Sequence, residues 1–154
     1  NGIIWWNLID GWPQISDAVV DYTYTKKLAY HYIKRSQSPV LLAFDEPENE
    51  TRLTLYGIND TTTSVGITYT VRNVTDGTTA ASGSAYLESE KSSPLVTVDI
   101  QPGEKKFYYI EWSYNDGETA VTGRNHYFTN IINIDFEAYT KALDSCGMLE
   151  TEGF

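Results

Sequence analysis

Seven short runs of alternating apolar and polar residues follow one another between residues 39 and 128. Clusters of turn residues separate them, and the runs are PVLLAFD, TRLTLYGIN, VGITYTVRN, ASGSAYLES, PLVTVDI, KKFYYIEWSYN and ETAVTGRNHYF. Successive side chains of a strand point to opposite faces, so Ile67, Tyr69 and Val71 in GITYTV share one face. About seven such strands with regular turns predict a mainly β domain, an immunoglobulin-like antiparallel sandwich over residues 39–130.

Residues 1–38 follow a different pattern. The run GIIWWNL at residues 2–8 is apolar, β-branched and aromatic, which predicts a buried strand. A loop containing glycine and proline ends this strand. The following run, YTKKLAYHYIKR, has helical spacing, with Leu28, Tyr32 and Ile33 on one face. Strand, loop and helix together make one βα unit, which we do not expect to fold alone.

The last region, residues 131–154, predicts a short amphipathic helix followed by an acidic tail. Its apolar positions include Phe136, Tyr139 and Leu143, which recur at helical spacing. Gly147 is a good helix terminator because glycine adopts the left-handed backbone conformation that ends many helices.

Charge and hydropathy narrow the range of partners. The formal net charge of −10 repels phosphate backbones, so we expect no nucleic-acid partner. No apolar run is long enough to span a bilayer, and we expect no membrane partner. Neutral sugars bind by stacking and hydrogen bonding, and an acidic protein can bind them without electrostatic penalty.

The sequence offers little catalytic chemistry of its own. No phosphate-binding glycine pattern and no paired Cys or His spacing occurs, so we expect no cofactor and no metal. His31 lies in the predicted helix and His126 near a strand end, and both are interpreted as structural histidines. Cys146 is the single cysteine, which excludes an internal disulfide. We therefore predict no catalytic residue in this chain.

The opening segment carries the candidate binding residues Trp6, Asp10 and Trp12. An indole at the carboxyl end of a buried parallel strand is where a (β/α)8 barrel presents side chains to substrate. Asp10, with Asn7, could orient sugar hydroxyls or brace the loop. The alternative is that the tryptophans fill a core. Trp5 and Trp6 cannot share one role, because neighbouring strand residues point to opposite sides.

The first forty residues resemble the end of the catalytic barrel in family-2 glycoside hydrolases, especially their β-mannosidase-like branch. The positions that match the family pattern are Gly2, Trp6, Leu8, Asp10, Trp12, Pro13, Ser16, Asp21, Tyr22, Lys26, Tyr30, Lys34, Arg35, Pro39 and Val40. GRNHYF at residues 123–128, followed by a helix, is similar to the ending of that branch. Two positions differ: Asn7 stands where the branch usually has Gln, and Ile9 stands where it usually has Asn.

The resemblance implies an architecture and a function. Residues 1–38 would be the last strand, loop and helix of a (β/α)8 barrel, with Trp6 as the floor of the sugar subsite. Asp10 and Trp12 would shape the same loop. The family's acid/base and nucleophile glutamates come from barrel strands upstream of this segment. The chain would then be the C-terminal fragment of a retaining β-glycosidase, inactive alone, supplying an accessory sandwich and one aromatic wall of the active site.

This interpretation also predicts partners. We expect the upstream barrel of the same polypeptide and an oligosaccharide substrate, together with self-association through the exposed residues 1–35. The alternative from a different functional class is a free-standing carbohydrate-binding or adhesion module, in which the aromatic segment folds onto the sandwich as a binding platform.

Overall fold

The computed structural model describes residues 4–45, 51–117 and 119–149. Within them, seven strands form the body of the protein, with one helix before the strands and one after them. The elements are α1 (Leu28–Ser36), β1 (Val40–Phe44), β2 (Arg52–Asn59), β3 (Val65–Asn73), β4 (Thr78–Leu87), β5 (Lys91–Asp99), β6 (Phe107–Asp116), β7 (Thr119–Phe128), a 3₁₀ turn (Ile131–Asn133) and α2 (Phe136–Ser145).

The strands form two antiparallel sheets, which confirms the predicted mainly β sandwich. One sheet has the order β1-β2-β5 and the other has the order β4-β3-β6-β7. In the constant-type immunoglobulin arrangement the fourth strand joins the first sheet. Here β4 pairs with β3 instead, because a short turn ending at Gly77 folds the chain back directly from Asn73 to Thr78. A second tight hairpin joins β6 to β7, with Asp116 opposite Thr119.

The core lies between the two sheets and follows the alternation in the sequence. Ile67, Tyr69 and Val71 are all buried on the inner face of β3, as their spacing predicts. The facing sheet contributes Leu53 and Leu55 from β2, both fully buried. Burying large aliphatic side chains of this kind contributes about 1.5–3 kcal/mol each relative to leaving them exposed. The sandwich therefore has its own hydrophobic core.

A single glycine makes room for the largest core side chain. Trp112 of β6 is directly opposite Gly123 of β7, and its indole lies across the glycine. A Cβ atom added to Gly123 would lie 2.1 Å from the Trp112 Cε2 atom. A side chain at position 123 therefore cannot coexist with the present position of the indole.

The helix α2 packs on the outer face of the four-stranded sheet. Leu143 and Met148 are fully buried against Phe107 and Tyr109 of β6. Asp135 caps the helix by accepting a hydrogen bond from the Ala138 amide at 3.0 Å. These contacts confirm the short C-terminal helix.

The end of α2 lies where the sequence predicts it, whereas one apolar position of the helix is not buried as predicted. Gly147 ends the helix at a φ of 62°, and the Met148 amide donates back to the Leu143 carbonyl. The helical spacing predicts Phe136 on the buried face, but its side chain is 73% exposed. It is the first residue of the helix and lies beyond the reach of the sheet contacts that bury Leu143.

The strand predicted for residues 2–8 is not formed, and this prediction was wrong for the described residues 4–8. The chain makes isolated bridges between Ile9 and Val20, and between Val20 and Lys26. A buried strand needs neighbouring strands on both sides, and no strand of the described chain lies alongside residues 4–8. The helix that follows is confirmed, although its buried position is His31 and Leu28 is partly exposed.

Candidate functional site

Most of the exposed large apolar side chains of the described residues lie before or at the start of α1. They are Ile4, Trp5, Trp6, Leu8, Trp12, Ile15, Tyr22, Tyr24 and Leu28. Trp6 is 80% exposed and Trp12 is 64% exposed. We call residues 5–16 the tryptophan loop. So many exposed large apolar side chains in one stretch of the chain are typical of a site that contacts another molecule or another part of a larger protein.

Asp10 holds the tryptophan loop together from inside. It is only 4% exposed, and its carboxylate accepts hydrogen bonds from the Ser16 hydroxyl and from Gln14 Nε2 at 3.2 Å. Lys27 Nζ forms an ion pair with the second carboxylate oxygen at 2.9 Å. The hydrogen bond from Ser16 and then the one from Lys27 hold the pKa of Asp10 below its ordinary value.

Backbone hydrogen bonds fix the same loop against the segment that leads into α1. The Asp10 amide donates to the Val20 carbonyl at 3.0 Å, and the Val20 amide donates to Leu8 at 3.0 Å. The Lys27 amide donates to Val19 at 2.9 Å. The two segments therefore lie side by side, although they form no continuous ladder.

The three predicted site residues are thus placed in two different settings. Trp6 and Trp12 present their indoles to solvent, whereas Asp10 points inward and is fully engaged. The Trp6–Asn7 peptide bond is cis, and Asn7 Oδ1 accepts a hydrogen bond from the Ile9 amide at 2.9 Å. Of the two roles considered for Asp10, bracing the loop matches its contacts. Because its carboxylate is held ionised, Asp10 is not suited to donate a proton.

His126 has contacts that the sequence did not reveal. His126, interpreted only as a structural histidine, is hydrogen bonded through Nε2 to the Tyr32 hydroxyl at 2.9 Å and to the Tyr139 hydroxyl at 2.8 Å. It therefore joins β7 to both helices. Burial, followed by the nearby Arg35 charge, lowers the pKa of His126 to about 4, and burial raises the pKa of Tyr32 to about 12. The signal was the GRNHYF match, which marks the position but not its contacts.

The described residues show exposed indoles and a braced loop, but neither a metal-binding cluster nor a membrane-spanning helix. Within residues 4–45, 51–117 and 119–149, no cluster of three His, Cys, Asp or Glu side chains is arranged to hold a metal ion. No helix in that part of the chain is long and apolar enough to cross a membrane. The tryptophan loop can stack against a flat apolar surface, such as one face of a sugar ring.

Comparison with known proteins finds a similar fold in part of a glycoside hydrolase. No protein-family model matches the chain, and no curated protein matches it. Among solved structures, the β-D-mannosidase from Dictyoglomus thermophilum is similar over 80% of this chain, with a TM-score of 0.59 and 23% identity. A β-glucuronidase from Parabacteroides merdae is similar over 59% of this chain, with a TM-score of 0.41 and 14% identity.

These likenesses concern only a small part of each enzyme. The chain spans 15% of the length of the β-D-mannosidase and 13% of that of the β-glucuronidase. At this level of identity, the likeness to the β-D-mannosidase shows a shared fold. The structural neighbours are glycoside hydrolases, and the chain corresponds in fold to a portion of such an enzyme.

Proposed function

We propose that this chain is the C-terminal region of a retaining β-glycosidase of the β-mannosidase-like type, and that it supplies an accessory sandwich and one aromatic wall of the active site. The observation that carries the proposal is the tryptophan loop, in which Trp6 and Trp12 are exposed while Asp10 is buried and bonded to Ser16, Gln14 and Lys27. The fold shared with a β-D-mannosidase supports it, as does the sequence resemblance of the first forty residues.

The binding role follows from the chemistry of the indole. An indole offers a large, rigid apolar face, and one side of a pyranose ring presents C–H groups that pack against such a face. Trp6 is the side chain that the resemblance assigns to the floor of the sugar subsite, and its exposure of 80% leaves the ring free to stack. Trp12, on the same braced loop, would form the adjoining part of that wall.

The chemical step would require groups from outside this chain. Retaining glycosidases use two carboxyl groups about 5–5.5 Å apart, one as nucleophile and the other as acid and then base. Asp10 cannot take the acid role, because Lys27 and Ser16 hold it ionised. In this proposal the two glutamates come from the upstream barrel, and this chain binds and orients the sugar.

Activity and calorimetric measurements on the isolated chain test whether the catalytic groups lie outside it. We expect no hydrolysis of aryl β-mannosides or aryl β-glucosides, because the catalytic pair is supplied from elsewhere. We also expect no measurable heat with manno- or gluco-oligosaccharides, since one wall buries too little of a sugar to hold it. Turnover by a preparation free of contaminating glycosidase would contradict the proposal.

A free-standing carbohydrate-binding module is the second candidate, and the exposure of three indoles on a braced loop favours it. It predicts clear binding of an oligosaccharide to the isolated chain. That binding should be abolished by Trp6→Ala and unaffected by Tyr86→Ala, a control that removes an exposed aromatic side chain from the sandwich. The same titration therefore separates the two candidates.

The proposed partners follow from the same surface. In the full enzyme, residues 1–35 would contact the upstream barrel, which would cover the apolar side chains around the tryptophan loop. In the isolated chain these side chains stay exposed, and we propose that they drive self-association. Sedimentation velocity at increasing concentration would detect this, and a monomer at high concentration would argue against it.

A further inference from the structure

His126 links the sandwich to both helices by hydrogen bonds. Its Nε2 atom is hydrogen bonded to the hydroxyls of Tyr32 in α1 and Tyr139 in α2, at 2.9 and 2.8 Å. Its ring stacks on Phe107 of β6 with a centroid distance of 5.1 Å and an interplanar angle of 12°. We call His126, Tyr32 and Tyr139 the His126 junction. The stacked ring is held from the sheet side, so the two hydroxyls bond to a fixed position.

We propose that His126 is a positioning residue through which the β-sandwich sets the place of the tryptophan loop. The link runs through α1: Tyr32 bonds His126, and Lys27 at the start of the same helix is bonded to Asp10 inside the loop. A sugar-facing role for the loop rests on the proposed function, whereas the link between His126 and the loop rests on these contacts alone.

The two helices depend on the junction to different degrees. α2 is also held by Leu143 and Met148, which are fully buried against the sheet. Among the described residues of α1, only His31 is buried and Leu28 is exposed, and Tyr32 packs its ring against His126 at a centroid distance of 5.0 Å. Loss of the Tyr139 hydroxyl therefore leaves α2 in place. Loss of the Tyr32 hydroxyl removes a direct tie between α1 and the sandwich.

The chemistry of the junction requires a neutral imidazole. His126 Nδ1 is buried and has no hydrogen-bond partner among the described residues. A protonated ring would carry a second N–H group there without an acceptor, next to the Arg35 guanidinium that lies over the Tyr32 ring. In the neutral ring, Nε2 is hydrogen bonded to both hydroxyls, so one atom links the two helices to the sandwich.

Amide hydrogen exchange on the isolated chain tests the proposal with a matched pair of variants. Tyr32→Phe and Tyr139→Phe each remove one hydroxyl from the same ring nitrogen, on different helices. We expect Tyr32→Phe to accelerate exchange of the Asp10, Val20 and Lys27 amides about 5- to 10-fold, the effect of losing about one hydrogen bond. We expect Tyr139→Phe to leave these amides unchanged, and both variants to leave the β3 and β6 amides unchanged.

Substitutions of the histidine itself separate positioning from general stability. His126→Gln keeps an amide that can bond a hydroxyl, and we expect it to retain most of the protection in the tryptophan loop. His126→Leu should lose that protection to the same extent as Tyr32→Phe. The proposal is overturned if Tyr32→Phe leaves the loop amides unchanged, or if both tyrosine variants accelerate them equally. None of these results depends on glycosidase activity, so the proposed function can fail while this inference holds, or the reverse.

Discussion

The sandwich and the tryptophan loop use the same residue type in opposite ways. Trp112 in β6 is 4% exposed and packs across Gly123, whereas Trp6 in the loop is 80% exposed. The difference lies in the neighbours that each segment has. Strands β3 and β7 flank β6 and help to enclose its inward-facing side chains, whereas no strand of the described chain pairs with residues 4–8. Burial is therefore set by available partners rather than by the hydrophobicity of the segment itself.

A pair of leucine substitutions should give the largest contrast between the two regions. Leu55→Ala empties a fully buried position in the sandwich core and should lower the free energy of unfolding by about 2–5 kcal/mol. Leu8 is 66% exposed, so Leu8→Ala should change it by less than about 0.5 kcal/mol. Urea denaturation followed by circular dichroism measures both. A comparable loss in Leu8→Ala would mean that the loop has a core of its own.

We expect protonation of His126 to lower the free energy of unfolding at acidic pH. Its pKa is lowered from 6.5 to about 4 in the folded chain, so the unfolded chain binds a proton that the folded chain does not between these values. The free energy of unfolding should therefore be unaffected above pH 6.5 and fall by up to about 3 kcal/mol as pH drops towards 4.

The control for this pH dependence is His126→Gln, which cannot titrate. Its stability curve should lack the contribution between pH 6.5 and 4 and match the wild-type slope elsewhere. Asp10 and Glu104 have lowered pKa values, so their contributions are present above their ordinary pKa values of 3.8 and 4.5 and are lost below them, which leaves the range from pH 6.5 to 4.5 to the histidine. Parallel curves for wild type and variant across the histidine step would show that His126 is not the source.

Alanine substitutions of two glycines in the same sheet should differ in stability by a smaller amount. Gly123→Ala places a Cβ against the Trp112 indole and should destabilise the sandwich by about 1–3 kcal/mol as the ring is displaced. Gly66, in strand β3 of the same sheet, has open space where a Cβ would lie, with no atom within 4 Å, so Gly66→Ala should be tolerated. Thermal unfolding and near-ultraviolet circular dichroism in the tryptophan region compare the two variants. Equal effects would contradict the packing described for Trp112.

The sequence predicted the parts of the fold that depend on local pattern. The alternation at Ile67, Tyr69 and Val71 identified the inner face of β3, and Gly147 identified the end of α2. The same reasoning failed at residues 4–8, because an apolar run describes a strand only where other strands are present to pair with it. Hydrophobicity alone could not tell whether those partners lie in this chain.

In the candidate site too, the sequence identified residues but not their long-range contacts. Residue type and a resemblance that covers forty residues identified Trp6, Asp10 and Trp12 as candidates, but left open whether the indoles are exposed and whether Asp10 orients a ligand or braces the loop. The His126 junction could not be derived, because Tyr32 and Tyr139 lie 94 and 13 residues from His126 along the chain. Contacts between residues so distant in sequence require knowledge of how the helices dock on the sheet.

The measurement that tests the central claim most directly is the activity of the protein encoded by the complete reading frame, with and without Trp6. We expect this protein to hydrolyse an aryl β-glycoside with retention of configuration, and Trp6→Ala to lower kcat/KM by about 30-fold, the loss of one well-packed aromatic contact. Tyr86→Ala should leave kcat/KM unchanged. An absence of β-glycosidase activity, or full activity in Trp6→Ala, would contradict the account.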